Sequence, residues 1–214
     1  MIISGATNDA TLPAGDGYAT VTVSPAGKVG LAATLADGTK ITQTASVSEH
    51  GLWPLYALTS RSQGLLLGWI SFTNAETLGG TVAWVKPRST AKYYSEGFSW
   101  MTQATGARYL APGNGANILG AASSTFNLTM TGGNLSQGLT NQLAFNSFTQ
   151  ARNLAGANKA QVTFVTSTGL FRGNAVDPLT RKSIPFNGVL IQNQNGGSGY
   201  FLGADQGGRV TISP

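Results

Sequence analysis

One pattern of short strands and tight turns occurs twice in this chain, once toward each end. Each copy has an alternating strand, a glycine turn, a second strand, a polar turn before a lysine, and a later apolar run between glycines. The segments are 21–23, 28–30, 40–41 and 64–68 in the first copy, and 162–164, 170–173, 182–184 and 199–203 in the second. An antiparallel sheet has an apolar face that must be covered. The repeat therefore constrains the architecture and says little about chemistry.

The composition suits a protein of sheets and turns. Only 10% of the 214 residues are charged, and 29 are glycine, which supplies the backbone freedom that tight turns need. Asp37-Gly38 predicts a hairpin turn. We predict strands at 18–24, 28–35, 40–47, 53–58, 64–72 and 81–85, then at 124–131 and 141–148, and finally at 160–166, 169–175, 183–192, 199–202 and 209–213, with a short helical turn at 149–155.

Open sheets leave unpaired edges, which proteins of this kind avoid by closing or packing their sheets. We therefore predict an all-β fold: an antiparallel β-barrel of about ten to twelve strands with an internal pseudo-two-fold repeat. A β-sandwich is the alternative. The chain is expected to be a single domain over 1–214, with repeat one at 17–86, a connecting aromatic and strand segment at 87–159, and repeat two at 160–214.

Charge and residue types exclude several classes of function. The net charge is +5, but the basic residues are scattered, and the nearest approach to a cluster is Lys86, Arg88 and Lys92. We therefore predict no nucleic-acid binding. The chain has no cysteine and one histidine, which argues against a structural zinc site, and we predict no metal and no cofactor. No apolar run reaches the roughly 20 residues of a membrane helix, so we expect no membrane insertion.

Several motifs resemble a known kind of module. They are STGLFRG (167–173), KSIPFNGVLIQNQN (182–195) and GYFLG (199–203), together with 17–40, WPLY (53–56) and LGWISF (67–72). The chain is similar to a β-rich module found toward the C-terminus of very large exported bacterial proteins with many repeats. The resemblance implies an extracellular or cell-surface location and a place within a longer polypeptide. It supplies no catalytic residues. The chain starts without the features of a signal peptide, so we expect any export signal to lie upstream.

Candidates for catalysis are few. His50 follows Glu49 in a polar turn, and the chain contains no Gly-x-Ser-x-Gly nucleophile motif. Most carboxylates lie in turns, where they have an ordinary turn-forming role. Glu96 differs, because it lies among Tyr94, Phe98 and Trp100. A carboxyl group shielded by rings can act as a general acid, so a carbohydrate-active hydrolase using Glu96 is one alternative. We predict no catalytic residue.

Aromatic residues are the stronger functional signal. All four tryptophans lie between residues 53 and 100, in the first half of the chain. Rings commonly fill β-protein cores, and most of these rings have that explanation. The stretch after residue 90 is irregular, so we expect Tyr93, Tyr94 and Trp100 to be exposed. The predicted ligand-binding residues are Tyr93, Tyr94, Glu96, Phe98 and Trp100, as the rim of a glycan site.

These observations favour a non-catalytic extracellular β module for binding or spacing, with glycan binding or surface adhesion as its role. A polysaccharide or cell-surface glycan is the expected partner. Besides the hydrolase, a second alternative stays open. A barrel whose interior is not filled would hold a small apolar ligand.

Overall fold

The computed structural model describes residues 1–7, 9–59, 63–113, 118–119, 124–154 and 158–214. Almost all regular structure in these residues is antiparallel strand, so the predicted all-β class is confirmed. The chain divides into two compact units, Met1–Arg108 and Tyr109–Pro214, which we call unit 1 and unit 2. Each unit is one eight-stranded sheet. Among the described residues, no helix has the length and apolar character needed to span a membrane.

Unit 1 is a sheet that almost closes on itself. Its strands are β1 (Ile2–Ile3), β2 (Gly17–Val23), β3 (Lys28–Thr34), β4 (Lys40–Ser46), β5 (Leu52–Thr59), β6 (Gly64–Phe72), β7 (Thr77–Lys86) and β8 (Phe98–Ala107). They are ordered β4-β3-β2-β1-β8-β7-β6-β5, so the first and last strands pair and β4 and β5 are the two edges. Successive side chains of a strand point alternately into the core and toward solvent. On β3, for example, Val29, Leu31 and Ala33 are buried and their neighbours are not.

A side chain, not a backbone ladder, joins the two edges of unit 1. Strands β4 and β5 lie side by side. Between them, the Gln43 amide donates to the carbonyl oxygen of Pro54 over 2.9 Å, and its oxygen accepts from the buried Trp53 indole N–H over 3.2 Å. Pro54 has no N–H to give to a ladder, which suits an edge strand. Gln43 therefore satisfies a backbone carbonyl that a ladder would otherwise pair, and also a buried indole N–H.

Unit 2 is a closed barrel. Its strands are β9 (Thr125–Gly132), β10 (Leu139–Ser147), β11 (Gln150–Asn153), β12 (Gln161–Val165), β13 (Leu170–Val176), β14 (Ser183–Ile191), β15 (Gly196–Leu202) and β16 (Gly207–Ser213). Consecutive strands pair, and a ladder from Gly208–Gly132 to Ser213–Asn127 joins β16 to β9. Every strand therefore has two neighbours, and the barrel has no open edge.

Glycines opposite phenylalanines let the barrel of unit 2 pack tightly. Phe171 is the direct cross-strand partner of Gly188, and Phe201 is the partner of Gly208. In each pair the ring lies where a Cβ on the glycine would be, so any larger residue would collide with the ring. The rings cover the glycine backbone and fill the interior, a device that also limits the loss of strand stability at glycine.

Both interiors are filled by side chains. The fully buried residues of unit 2 include Phe126, Leu128, Leu143 and Phe201, and those of unit 1 include Trp53, Leu66, Ile70 and Val82. Filling by side chains is expected for eight strands, because the interior is just wide enough for them.

A buried ion pair also lies inside unit 1. Lys86 Nζ is 2.6 Å from Asp37 Oδ2, and the two side chains are 6% and 1% exposed. Asp37 Oδ1 also accepts from the backbone N–H of Thr39. The pair thus joins the end of β7 to the β3–β4 turn that Asp37-Gly38 predicted. Removing one partner of such a pair typically costs about 3–5 kcal/mol, because the other charge stays buried.

The strands differ from the expected set in a few places. The expected single barrel of about ten to twelve strands is divided into two sheets of eight, and the connecting segment 87–159 contributes β8 to unit 1 and β9–β11 to unit 2. The helical turn predicted at 149–155 is wrong, because Gln150–Asn153 is strand β11, paired with β10 and β12. The repeated hairpins lie on β2–β4 and on β12–β14, which hold different positions in the strand order of the two units.

The two hydrogen bonds of the Gln43 side chain should contribute to the stability of unit 1. Gln43→Ala leaves the buried Trp53 indole N–H and the Pro54 carbonyl without their partner, which should lower the free energy of unfolding by about 1–3 kcal/mol. Gln103→Ala is the control, because Gln103 is exposed and donates only to Thr81, and its cost should stay within about 0.5 kcal/mol. Urea unfolding measures both. Equal effects of the two changes would show that Gln43 does not hold the edges together.

Candidate binding surface

The residues predicted as a ligand site lie in the loop between β7 and β8 and at the start of β8. Phe98 and Trp100 point inward and pack against the core of unit 1. The Phe98 ring meets the buried Trp84 ring edge to face, with centroids 4.9 Å apart. Tyr94 stands edge to face on Phe98 at 5.8 Å. Three of the five predicted residues are therefore linked to the core. The three that were expected to be exposed, Tyr93, Tyr94 and Trp100, are all half-buried.

The other two predicted residues are held by neighbouring cations. Lys92 lies over the Tyr93 ring, 4.7 Å from its centroid, and donates to its hydroxyl over 3.0 Å. Glu96 is 77% exposed and lies 3.4 Å from Arg88 Nε. Lys86 is buried against Asp37. The three basic residues that lie closest together in the sequence, Lys86, Arg88 and Lys92, therefore each contact a different side chain. The proposal that the five residues form one rim stays a prediction.

The surroundings of Glu96 do not resemble those of a shielded general acid. Its side chain is solvated and faces Arg88 rather than the Tyr94–Phe98 ring pair. His50 is likewise exposed and lies 3.4 Å from Glu49. Within the described part of the chain, no three acidic or histidine residues come together as a metal site would require.

A different surface of unit 1 is unusual. Strands alternate, so residues of β5–β8 that do not enter the core face outward. We call them the β5–β8 outer face. They are Leu52, Pro54, Tyr56 and Leu58 on β5, Leu65, Leu67, Trp69 and Ser71 on β6, Thr77, Gly79, Thr81, Ala83 and Val85 on β7, and Ser99, Met101, Gln103, Thr105 and Ala107 on β8.

The β5–β8 outer face is apolar and continuous across four strands. Direct cross-strand pairing forms a row that runs Tyr56, Leu67, Ala83, Met101. Trp69 lies two residues beyond Leu67 on the same side of β6. Trp69, Tyr56 and Met101 are 62%, 55% and 63% exposed. Large exposed apolar patches on a folded protein mark interaction sites.

The same face lacks charge. None of its residues, all within the described part of the chain, is acidic or basic. Apart from Tyr56, its polar side chains carry hydroxyl or amide groups; Ser71 lies on β6 and the others on β7 and β8, where Gln103 donates to Thr81 over 3.0 Å. A face of exposed rings, aliphatic side chains and neutral polar groups is suited to an uncharged partner.

The sequence carried a signal for this surface. Strand β5 reads LWPLYALT and β6 reads GLLLGWISF, so both are apolar on both faces. In an antiparallel sheet with one face in the core, the other face normally alternates to polar residues. Apolar residues on both faces of a strand are typical of a sheet whose outer face is an interaction site. Tyr56 and Trp69 lie in the motifs WPLY (53–56) and LGWISF (67–72), but the prediction of Tyr93 and Trp100 rested on irregular backbone, which β5 and β6 do not have.

Comparison of the chain with family models, with curated proteins and with solved structures found no match. Its function is therefore argued from its own surfaces.

Two tryptophans on neighbouring strands should differ sharply in their effect on stability. Trp84→Ala removes a buried ring from the core and should lower the free energy of unfolding by about 3–5 kcal/mol. Trp69→Ala removes a mostly exposed ring and should cost less than about 1 kcal/mol. Denaturant unfolding of the two variants tests this difference. A large loss for Trp69→Ala would mean that this ring serves folding rather than binding.

Proposed function

We propose that this chain is a non-catalytic binding module that holds an uncharged polysaccharide on the β5–β8 outer face. The observation that carries the proposal is the exposure of Trp69 and Tyr56 on a continuous face without charge. This surface replaces the β7–β8 loop as the first candidate for the glycan site expected from the sequence.

The chemistry of sugars matches the composition of this face. Sugar rings present flat C–H patches that pack on aromatic rings, and their hydroxyls bond to neutral amide and hydroxyl groups. A whole aromatic side chain buries roughly 150–250 Å², so the exposed parts of Trp69 and Tyr56 together offer on the order of 200 Å². Ser71, Thr81 and Gln103 supply neutral hydrogen-bonding groups on the same side of the sheet.

The absence of charge supports a neutral ligand over an acidic one. Covering this face desolvates no ionised side chain of the face itself, and burying an unpaired charge is costly. An acidic polymer would gain nothing from this face and would lose hydration of its own charges. An uncharged polymer loses only hydroxyl hydration, which Thr81 and Gln103 can restore in part.

The alternatives have less support. A hydrolase would need Glu96 in a shielded setting, whereas this side chain is exposed and paired with Arg88. A ligand inside a barrel would need interior space, and the interiors are occupied by buried side chains such as Trp53 and Phe201. The extracellular location and the place within a longer polypeptide stay predictions that rest on the resemblance.

Affinity for insoluble and soluble neutral polysaccharides tests the proposal. The wild-type chain should bind at least one of cellulose, chitin, xylan, mannan or galactan. Trp69→Ala and Tyr56→Ala should each weaken that binding about tenfold, equivalent to about 1.4 kcal/mol. Phe148→Ala is the matched control, since Phe148 is an equally exposed ring in unit 2 and its loss should leave binding unchanged.

Other outcomes would overturn this assignment. Loss of binding in Tyr93→Ala but not in Trp69→Ala would return the site to the β7–β8 loop. Absence of binding to every neutral polysaccharide, combined with dimerisation that Trp69→Ala abolishes in sedimentation experiments, would identify a second copy of the chain as the partner.

A further inference from the structure

Unit 2 has a cavity on its outer surface, and the chemistry of this cavity differs from that of the β5–β8 outer face of unit 1. The cavity has a volume of about 500 Å³ and extends across β11, β12, β13 and β14. Its lining exposes polar and apolar atoms in nearly equal measure, and most of its outward-facing side chains are polar. The polar side chains in its lining include Arg152, Arg172, Gln150, Gln161, Asn174 and Asn187.

The register of the strands places one arginine on each side of β12. Arg152 on β11 is opposite Gln161, and Arg172 on β13 is opposite Thr163. Gln161 and Thr163 are two residues apart and face the same side. With strands about 4.8 Å apart and a rise of about 3.4 Å per residue, the arginine Cα atoms lie roughly 12 Å apart. Both arginines line the one cavity, so a single ligand can contact both.

No carboxylate of unit 2 neutralises these arginines. Unit 2 contains six basic residues, at positions 152, 159, 172, 181, 182 and 209, and two acidic ones, Asp177 and Asp205, which gives +4 of the net charge of +5. Asp177 accepts from Leu179 N–H and the Thr180 hydroxyl, and Asp205 accepts from Asn134. Those hydrogen bonds also hold the pKa of Asp177 below its usual value, with the Thr180 hydroxyl as the largest cause. Among the described residues, no ion pair involves either arginine.

Amide side chains between the arginines form an ordered network. Gln161 donates to Asn174 over 2.7 Å, and Asn174 donates to Ser183 over 3.3 Å. Both amides are thus oriented before any ligand arrives, which lowers the entropic cost of binding. Amides with spare donors and acceptors suit hydroxyl groups. The one aromatic residue in the lining, Phe186, is buried in the core and offers no stacking surface.

We infer that this cavity binds an acidic saccharide, with Arg152 and Arg172 on its oxyanion groups and the Gln161–Asn174 amides on its hydroxyls. Arginine pairs with carboxylate and sulfate oxygens through two parallel hydrogen bonds, so both kinds of acidic sugar share the required chemistry. Single-stranded nucleic acid is the less suitable anion, because such sites stack bases on exposed rings. The inference concerns another unit and another ligand class, so it does not depend on the proposed function.

Titration of the full chain with matched oligosaccharides tests the inference. The probes are a galacturonate hexamer, a sulfated hexamer, an uncharged galactose hexamer and a short oligothymidylate. The wild-type chain should bind one or both acidic saccharides at least tenfold more tightly than the uncharged one. The double change Arg152→Gln and Arg172→Gln should remove at least tenfold of that affinity. The carboxylate and sulfate probes show which oxyanion the cavity prefers.

The control variant changes charge without touching the cavity. Lys159→Gln with Lys182→Gln removes two positive charges of unit 2 outside the lining and should change the affinity less than twofold. Equal losses in the two double variants would show diffuse attraction and overturn the site, as would tighter binding of oligothymidylate or no binding of either acidic saccharide. Trp69→Ala should leave acidic binding intact, which separates failure of this inference from failure of the proposed function.

Discussion

Closure of an eight-stranded sheet is the constraint on which each unit depends. Such a sheet leaves an interior just wide enough for side chains, and both interiors are filled by buried apolar residues. Unit 2 closes by the backbone ladder between β16 and β9. Unit 1 closes through the side chain of Gln43, because β5 carries Pro54 at its edge. Because the interiors are filled, a ligand has to bind on the outside of each sheet or on its loops.

The outer faces of the two units have diverged in chemistry. In unit 1 the β5–β8 outer face is apolar and uncharged, with Trp69 and Tyr56 exposed. In unit 2 the outer side of β11–β14 is polar, with Arg152 and Arg172 around a cavity. Two eight-stranded sheets therefore present outer surfaces of different chemistry, an uncharged one in unit 1 and one with two arginines in unit 2. A division of this kind needs no change in the core, since outward residues alternate with buried ones along each strand.

Most strands could be predicted because apolar and polar residues alternate along them. The predictions failed where this alternation is missing from the sequence. Strands such as β2 and β13 alternate clearly and were predicted within a residue or two. Strand β8 was missed because the aromatic run that leads into it suggested an irregular loop. Strand β11 is only four residues long, too short to show a period. On β5 and β6 both faces are apolar, so the sequence could not tell which ring, Trp53 or Trp69, enters the core.

We propose that Trp69 lies in a ligand-binding surface, whereas the other three tryptophans serve the core. The indole N–H resonances of the four tryptophans, recorded with and without a soluble neutral oligosaccharide that the chain binds, test it directly. The account predicts that the Trp69 resonance moves with saturating dependence on ligand concentration and that those of Trp53 and Trp84 stay in place. A shift confined to Trp100, with Trp69 unchanged, would contradict it.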